Sequence, residues 1–203
     1  ITVVQLGDDG ATISTTGVSG ATSYTYERDT STSFTSPTTI SSGTLDLSVN
    51  DTGPLSEAVT YYYRIIATDG VDTTTSDTAT FVIPATFDTA TLTDSSNLSS
   101  NDNIFTFTVQ PGVALSAGSS ITLAGLTGSA TGDGSVSLSG AGASIFGSAG
   151  SWTQSTGTLV LTVDTAQTLP TGSDTVVSFT LTNPSSGSGV TSVNLSSTGF
   201  TTA

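Results

Sequence analysis

The chain has 203 residues, among them 43 Thr, 34 Ser and 22 Gly, and a formal net charge of −14 with Arg28 and Arg64 as its basic residues. Such a field excludes nucleic acid and anionic membrane surfaces, which are held by clustered Lys and Arg. No apolar run approaches a membrane span, and the absence of Cys leaves the redox compartment unreadable.

Hydrophobic residues make up 34% of the chain and recur in alternation, which argues for folded strands rather than a disordered Ser/Thr-rich tract. Helix formers are scarce, with no Met, no Lys and only Glu27 and Glu57, while β-branched Thr, Val and Ile dominate. The predicted fold class is all-β: two tandem antiparallel β-sandwich domains, residues 1–84 and 85–203.

In the first domain the pattern predicts strands at Ile1–Leu6, Ala11–Thr16, Ser23–Asp29, Thr38–Ser41, Thr44–Val49, Val59–Asp69 and Thr74–Ile83. Seven short strands separated by turn residues read as a sandwich. Leu45, Leu47 and Val49 share one face of the fifth. In the sixth, Tyr61, Tyr63, Ile65 and Ala67 share the face that a core requires, and Tyr62, Arg64 and Ile66 share the other. Tyr61 is placed to return its hydroxyl to the preceding turn as a tyrosine corner. Tyr62 beside Arg64 is a candidate partner contact.

The segments "GVSGATSYTYERDTSTSFTSP" (17–37) and "PLSEAVTYYYRIIATDGVDTTTSDTATFVI" (54–83) resemble a fibronectin type III domain of the bacterial-surface kind. The resemblance rests on Tyr24, on Leu55 with Tyr61 six residues on, and on Tyr63-Arg64-Ile65 with Ala67. Thr15 stands where such domains place a core tryptophan, so the resemblance implies a core filled differently, with the extra tyrosines as candidates.

A short joint, "IPATFDT" (83–89), contains Pro84 and is no flexible Gly/Ser linker, so a semi-rigid relation between neighbours is expected. Beyond it the inward sets are Phe105/Phe107/Val109, Ile121/Leu123, Val136/Leu138, Leu159/Leu161/Val163, Val177/Phe179/Leu181 and Val193/Leu195. A strand near Thr89–Thr93 and one around Ser144–Phe146 bring the count to about eight, an Ig-like or jelly-roll-like sandwich. The phrasing "ALSAGSSITLAGLTGS…GSWTQSTGTLVLTV…TLPTGSDTVVSFTLTNPSS" resembles modules of long extracellular repeat proteins. Both ends of the sequence stop on β-type residues, as a slice through a tandem array would.

With no His, Cys or Lys, the usual general bases, thiol nucleophiles and transition-metal ligands are missing, so a non-catalytic protein is expected and no cofactor is implied. Calcium is the one metal to weigh: oxygen-rich turns at 7–10, 69–77, 99–103 and 131–135 supply hard ligands, with Asp102 the leading candidate. Asp-Gly and Asn-Asp are also ordinary turn formers, and none of these turns matches a calcium-loop pattern. Acceptor sequons for N-linked sugar stand at Asn50, Asn97 and Asn194, whereas Asn183 is followed by Pro. Trp152, with Phe146, is either a core anchor or a platform for a pyranose ring.

The expected role is a structural subunit or segment of an extracellular filament, appendage or surface layer, glycosylated and self-associating. Its partners would be copies of itself or neighbouring domains of a longer chain, with "ITVVQL" (1–6) as an alternative donated strand. The competing expectation is a pair of non-catalytic carbohydrate-binding or adhesion modules of a secreted or surface protein.

Overall fold

The computed structural model describes residues 1–186 and 192–200. The chain is all-β, with several antiparallel sheets compatible with sandwich packing, and it divides into two compact units, Ile1–Pro84 and Ala85–Thr202. Each has its own core.

The first unit holds β1 (Thr2–Leu6), β2 (Gly10–Ser14), β3 (Ser23–Asp29), β4 (Thr38–Thr44), β5 (Ser48–Asp51), β6 (Thr60–Thr68), β7 (Thr73–Thr75) and β8 (Ala79–Val82). One sheet has the order β1-β2-β5; the other has β4-β3-β6-β7, with β8 also on β6. Ala11 and Ile13 of the first sheet share a core with Tyr24, Tyr26, Tyr61, Tyr63, Ile65 and Ala67 of the second. The alternation read in β6 is therefore the alternation observed, because a period-2 backbone sends successive side chains to opposite faces. Thr2–Leu6 pairs with Gly10–Ser14 of its own unit, so this run is an intrachain strand here.

Four of the five tyrosines lie in the core, and each of their hydroxyls finds a partner. Tyr24 accepts from the Val18 amide (2.8 Å), Tyr26 donates to the Asp46 carbonyl (2.7 Å), Tyr61 accepts from the Ser56 amide (2.9 Å) and Tyr63 donates to the Asp51 carboxylate (2.9 Å). The Tyr61 bond reaches back from the start of β6 to the turn before it, the corner expected from its position. Burying a hydroxyl unpaired costs more than the bond itself returns, so these contacts fix the loops they reach.

Two strand expectations are corrected. Residues 45–47 form no strand: Leu45 is 69% exposed and Leu47 43%. Thr44 and Asp46 close a side-chain turn, the Asp46 amide donating to Thr44 Oγ1 and that hydroxyl to the Asp46 carboxylate, which ends β4. The predicted strand at 74–83 is interrupted at Ser76, whose hydroxyl accepts from the Ile65 amide, so β7 and β8 are separate.

The second unit holds β9 (Phe87–Asp94), β10 (Asp102–Pro111), β11 (Leu115–Ser116), β12 (Ser120–Ala124), β13 (Gly134–Ser139), β14 (Ala149–Thr153), β15 (Thr158–Thr162), β16 (Thr168–Leu169), β17 (Thr175–Thr182) and β18 (Asn194–Ser197). Eight of them form one path, β18-β12-β15-β14-β13-β17-β10-β9, and β11 pairs with β16. β13 makes the path continuous: its first residues pair with β14, and Leu138 and Ser139 pair with β17. The sheet thus curls, nearly as a barrel, around a core of inward residues from every long strand. Residues 143–146 are not a strand but a short 3-10 turn, closed by Gly147 at φ 65°.

Candidate functional site

At one end of the second unit a cavity of about 460 Å³ opens where β9, β10 and β17 meet the loops around Leu126 and Ser192. Leu92, Phe105, Leu126, Leu181 and Val193 give it an apolar lining, and Asp94, Asn97, Ser99, Thr127 and Ser192 give it polar groups.

Two buried or half-buried amides build this wall. Asn103 is 3% exposed; its carbonyl accepts from the Ser95 and Ser96 amides (both 3.0 Å), and its NH₂ donates to Asp94 Oδ2 (3.0 Å) and Asn183 Oδ1 (3.2 Å). The Asn183 NH₂ donates in turn to the Ser96 and Leu98 carbonyls (2.9 and 3.0 Å). These amides hold the 95–101 loop in a single shape.

The opposite rim hangs on Gly157, whose carbonyl accepts from the Gly125 and Leu126 amides (3.1 and 2.8 Å). Gly157 sits at φ 61°, and a Cβ there would meet backbone atoms of Leu126 and Thr127 at 2.5–2.8 Å, so only glycine lets the two segments touch. Trp152 donates from its indole nitrogen to the Thr131 carbonyl (2.9 Å).

The lining includes one carboxylate and no basic group. Its chemistry suits an uncharged, hydroxyl-rich ligand with one apolar face and disfavours an anion.

The sequence-derived candidates fall in several places. Trp152 is 2% exposed and Phe146 3%, so neither offers a ring face to a sugar; Trp152 is a core anchor tied to the Thr131 carbonyl. Tyr62 is half-buried on β6. Arg64 pairs with Glu27 (2.7 Å) directly across β3 and lies 4.2 Å from the Phe34 ring centroid. Arg28 mirrors it, pairing with Asp51 (2.7 Å) and lying 5.3 Å from Tyr61. Both arginines are thus engaged within the first unit.

Asp102 is exposed and accepts from the Thr182 hydroxyl (3.1 Å), and among the described residues no three carboxylates converge. Asn50, Asn97 and Asn194 are all exposed: Asn50 on β5, Asn194 on β18, and Asn97 on the cavity loop. Sequence reasoning passed over Asn103 and Asn183. The available signal was Asn103 itself, an amide at an inward position in step with Phe105, Phe107 and Val109.

Burial, reinforced by the Asp51 carboxylate, pushes the Tyr63 hydroxyl well above its usual pKa of 10.0. Burial also raises that of Tyr26, with smaller contributions from Tyr24 and Asp46. The Ser36 amide, ahead of those of Ser31 and Thr30, holds Asp29 below the usual carboxylate value despite an opposing burial effect.

No protein-family model matches the chain, and no curated protein shows detectable similarity to it.

Proposed function

We propose that this chain is a structural segment of an extracellular filament, appendage or surface layer that works by self-association, and that it is non-catalytic. In this reading the first unit is a fibronectin type III-like sandwich. The sheet orders β1-β2-β5 and β4-β3-β6-β7, and the Tyr61 corner, support that assignment. The second is an Ig-like module curled toward a barrel, and the sugar acceptors are the exposed Asn50 on the first unit and Asn97 and Asn194 on the second.

One observation carries the self-association. The edge strands β1 (TVVQL) and β4 (TTISSGT) contain no charge and no proline, and Val4 on β1 is 53% exposed. Soluble proteins ordinarily guard sheet edges with Lys, Pro or inward charge. A chain carrying 16 acidic residues that keeps them off these edges is suited to having the edges covered. Electron microscopy of material isolated without denaturation, with sedimentation velocity of the purified chain, tests this. Ordered polymers and concentration-dependent sedimentation are expected; dispersed monomers at every concentration would sink the reading.

The cavity beside Asp94 favours a second reading, carbohydrate binding, because its neutral lining and apolar floor fit a sugar ring. Retention on insoluble glycans, lost on Thr127→Trp, is the expected behaviour. A monomeric chain that binds no glycan would count against both readings.

A further inference from the structure

We infer that copies of this chain associate side by side through the outer face of β9, β10 and β17, so that its occupant is the same face of a second copy. The inference rests on the self-association proposed above and adds, to the β1 and β4 edges of the first unit, a lateral contact on the second.

The second unit has six ionisable side chains, Asp88, Asp94, Asp102, Asp133, Asp164 and Asp174, and no basic residue. Strand register sorts them into two groups. Asp94, Asp102 and Asp133 lie at the end where β10 begins and β9 stops; Asp102 is opposite Thr182, and Asp133 accepts from the Gln154 amide. Asp88, Asp164 and Asp174 lie at the other end, where Asp88 meets Gln110, the Asp164 amide donates to the Ile145 carbonyl, and Asp174 precedes β17.

Between the ends, the outward positions carry no charge. Register sets them in rows: Thr93 beside Thr106 beside Ser178, and Thr91 beside Thr108 beside Val176. Ile104, opposite Thr180, is 50% exposed and Val176 37%. The face therefore offers methyl groups, two aliphatic side chains and hydroxyls, and it runs to β9, which ends the strand order among the described residues.

End-to-end contact between two copies of this unit would set three carboxylates against three others with no cation to compensate, and like-charge juxtaposition is costly. Contact through the β9–β10–β17 face brings no carboxylate to its centre. Its hydroxyls can exchange hydrogen bonds with a partner of the same kind, as Thr106 and Ser178 already do at 3.2 Å. An anionic partner gains nothing there, and a cationic one would be drawn to the ends.

The chain has no cysteine, so a single introduced thiol reports its own surroundings. Thr91→Cys places it on the face; Thr127→Cys and Thr165→Cys place it at exposed positions at the two ends. In assembled full-length chain a short bis-maleimide should link Thr91→Cys into dimers several-fold more than either end variant. Thr93→Asp should abolish assembly, and mixing it with Thr93→Lys should restore it, with far-UV circular dichroism verifying the fold of each.

Equal linking at all three positions, or Thr93→Asp assembling as the parent does, overturns the inference while self-association stands. Sugar found on Thr91, Thr93 or Thr108 by mass spectrometry overturns it too, since the face is then covered by glycan. A parent chain that never assembles defeats the inference and the proposed function together.

Discussion

Asp51 is where the first unit is most exposed to a single change. The residue is 5% exposed and its carboxylate takes three bonds, from Arg28 (2.7 Å), the Tyr63 hydroxyl (2.9 Å) and the Gly53 amide (3.1 Å). Asp51→Ala removes the acceptor and leaves a guanidinium and a buried phenol with nothing to bond. Breaking a buried pair from one side costs about 3–5 kcal/mol, mostly for the charge left behind. For a unit of this size that is a fall in Tm of roughly 12 °C or more. Tyr63→Phe removes one bond and leaves Asp51 with Arg28, so its cost is about 1 kcal/mol. The two effects share a partner and cannot add. Once Asp51 is gone the Tyr63 hydroxyl is only a liability, so the double variant should be no less stable than Asp51→Ala alone. The assay separates the units spectroscopically, because all five tyrosines lie in the first and the single tryptophan in the second. Tyrosine near-ultraviolet dichroism should report the early transition and Trp152 fluorescence an unmoved one. A shift below about 1 kcal/mol for Asp51→Ala, or costs that add in the double variant, would refute the network.

Alkaline pH should unfold the first unit selectively. The Tyr63 and Tyr26 pKa values are raised in the folded state, so the stability they contribute is complete below pH 10 and is lost as pH climbs toward their folded values. Spectrophotometric titration should show these two ionising only as the tyrosine dichroism collapses. At acid pH the sign reverses: Asp29 is depressed, so its contribution is complete above the usual 3.8 and is lost below it, and Asp29→Asn should flatten stability against pH there. Gly157→Ala forces a Cβ onto the Leu126 and Thr127 backbone and should cost about 1–3 kcal/mol, read as an earlier Trp152 transition. Added salt should raise that same transition, since the second unit has carboxylates and no cation and screening relieves only repulsion. A fall in the Trp152 midpoint with salt would contradict this.

The inner faces were legible because strand alternation is strict: every inward set read across 105–181 is buried. Residues 45–47 misled because Leu-Asp-Leu alternation looks like a strand, yet Asp46 two residues after Thr44 is also turn chemistry, and there the turn prevails. Residues 143–146 misled because Ser-Ile-Phe is strand-like in isolation, while the glycines on either side permit a tight 3-10 turn. The cavity was illegible for a different reason. Asn103 and Asn183 are 80 residues apart, and their bond exists only because β10 and β17 pair. No local pattern encodes that contact; a polar residue at an inward position only flags that a partner must exist.

The same composition serves different ends in the two units. In the first, Arg64 joins Glu27 on the neighbouring strand to the Phe34 ring, and Arg28 joins Asp51 of the other sheet to the Tyr61 ring. In the second, no charge is spent on the interior, and Asn103 does the corresponding work with a neutral amide. Its outer strands use Thr and Ser where most soluble sheets use Lys and Glu. Threonine keeps the β-branched preference for extended backbone while giving up electrostatic repulsion along the flank. A flank without repulsion gains little protection against a second copy, whereas the carboxylates at both ends keep theirs. The placement of charge by strand register therefore sets a direction: contact is cheap across the sides of this unit and costly at its ends, and an assembly built from it should grow where charge is absent.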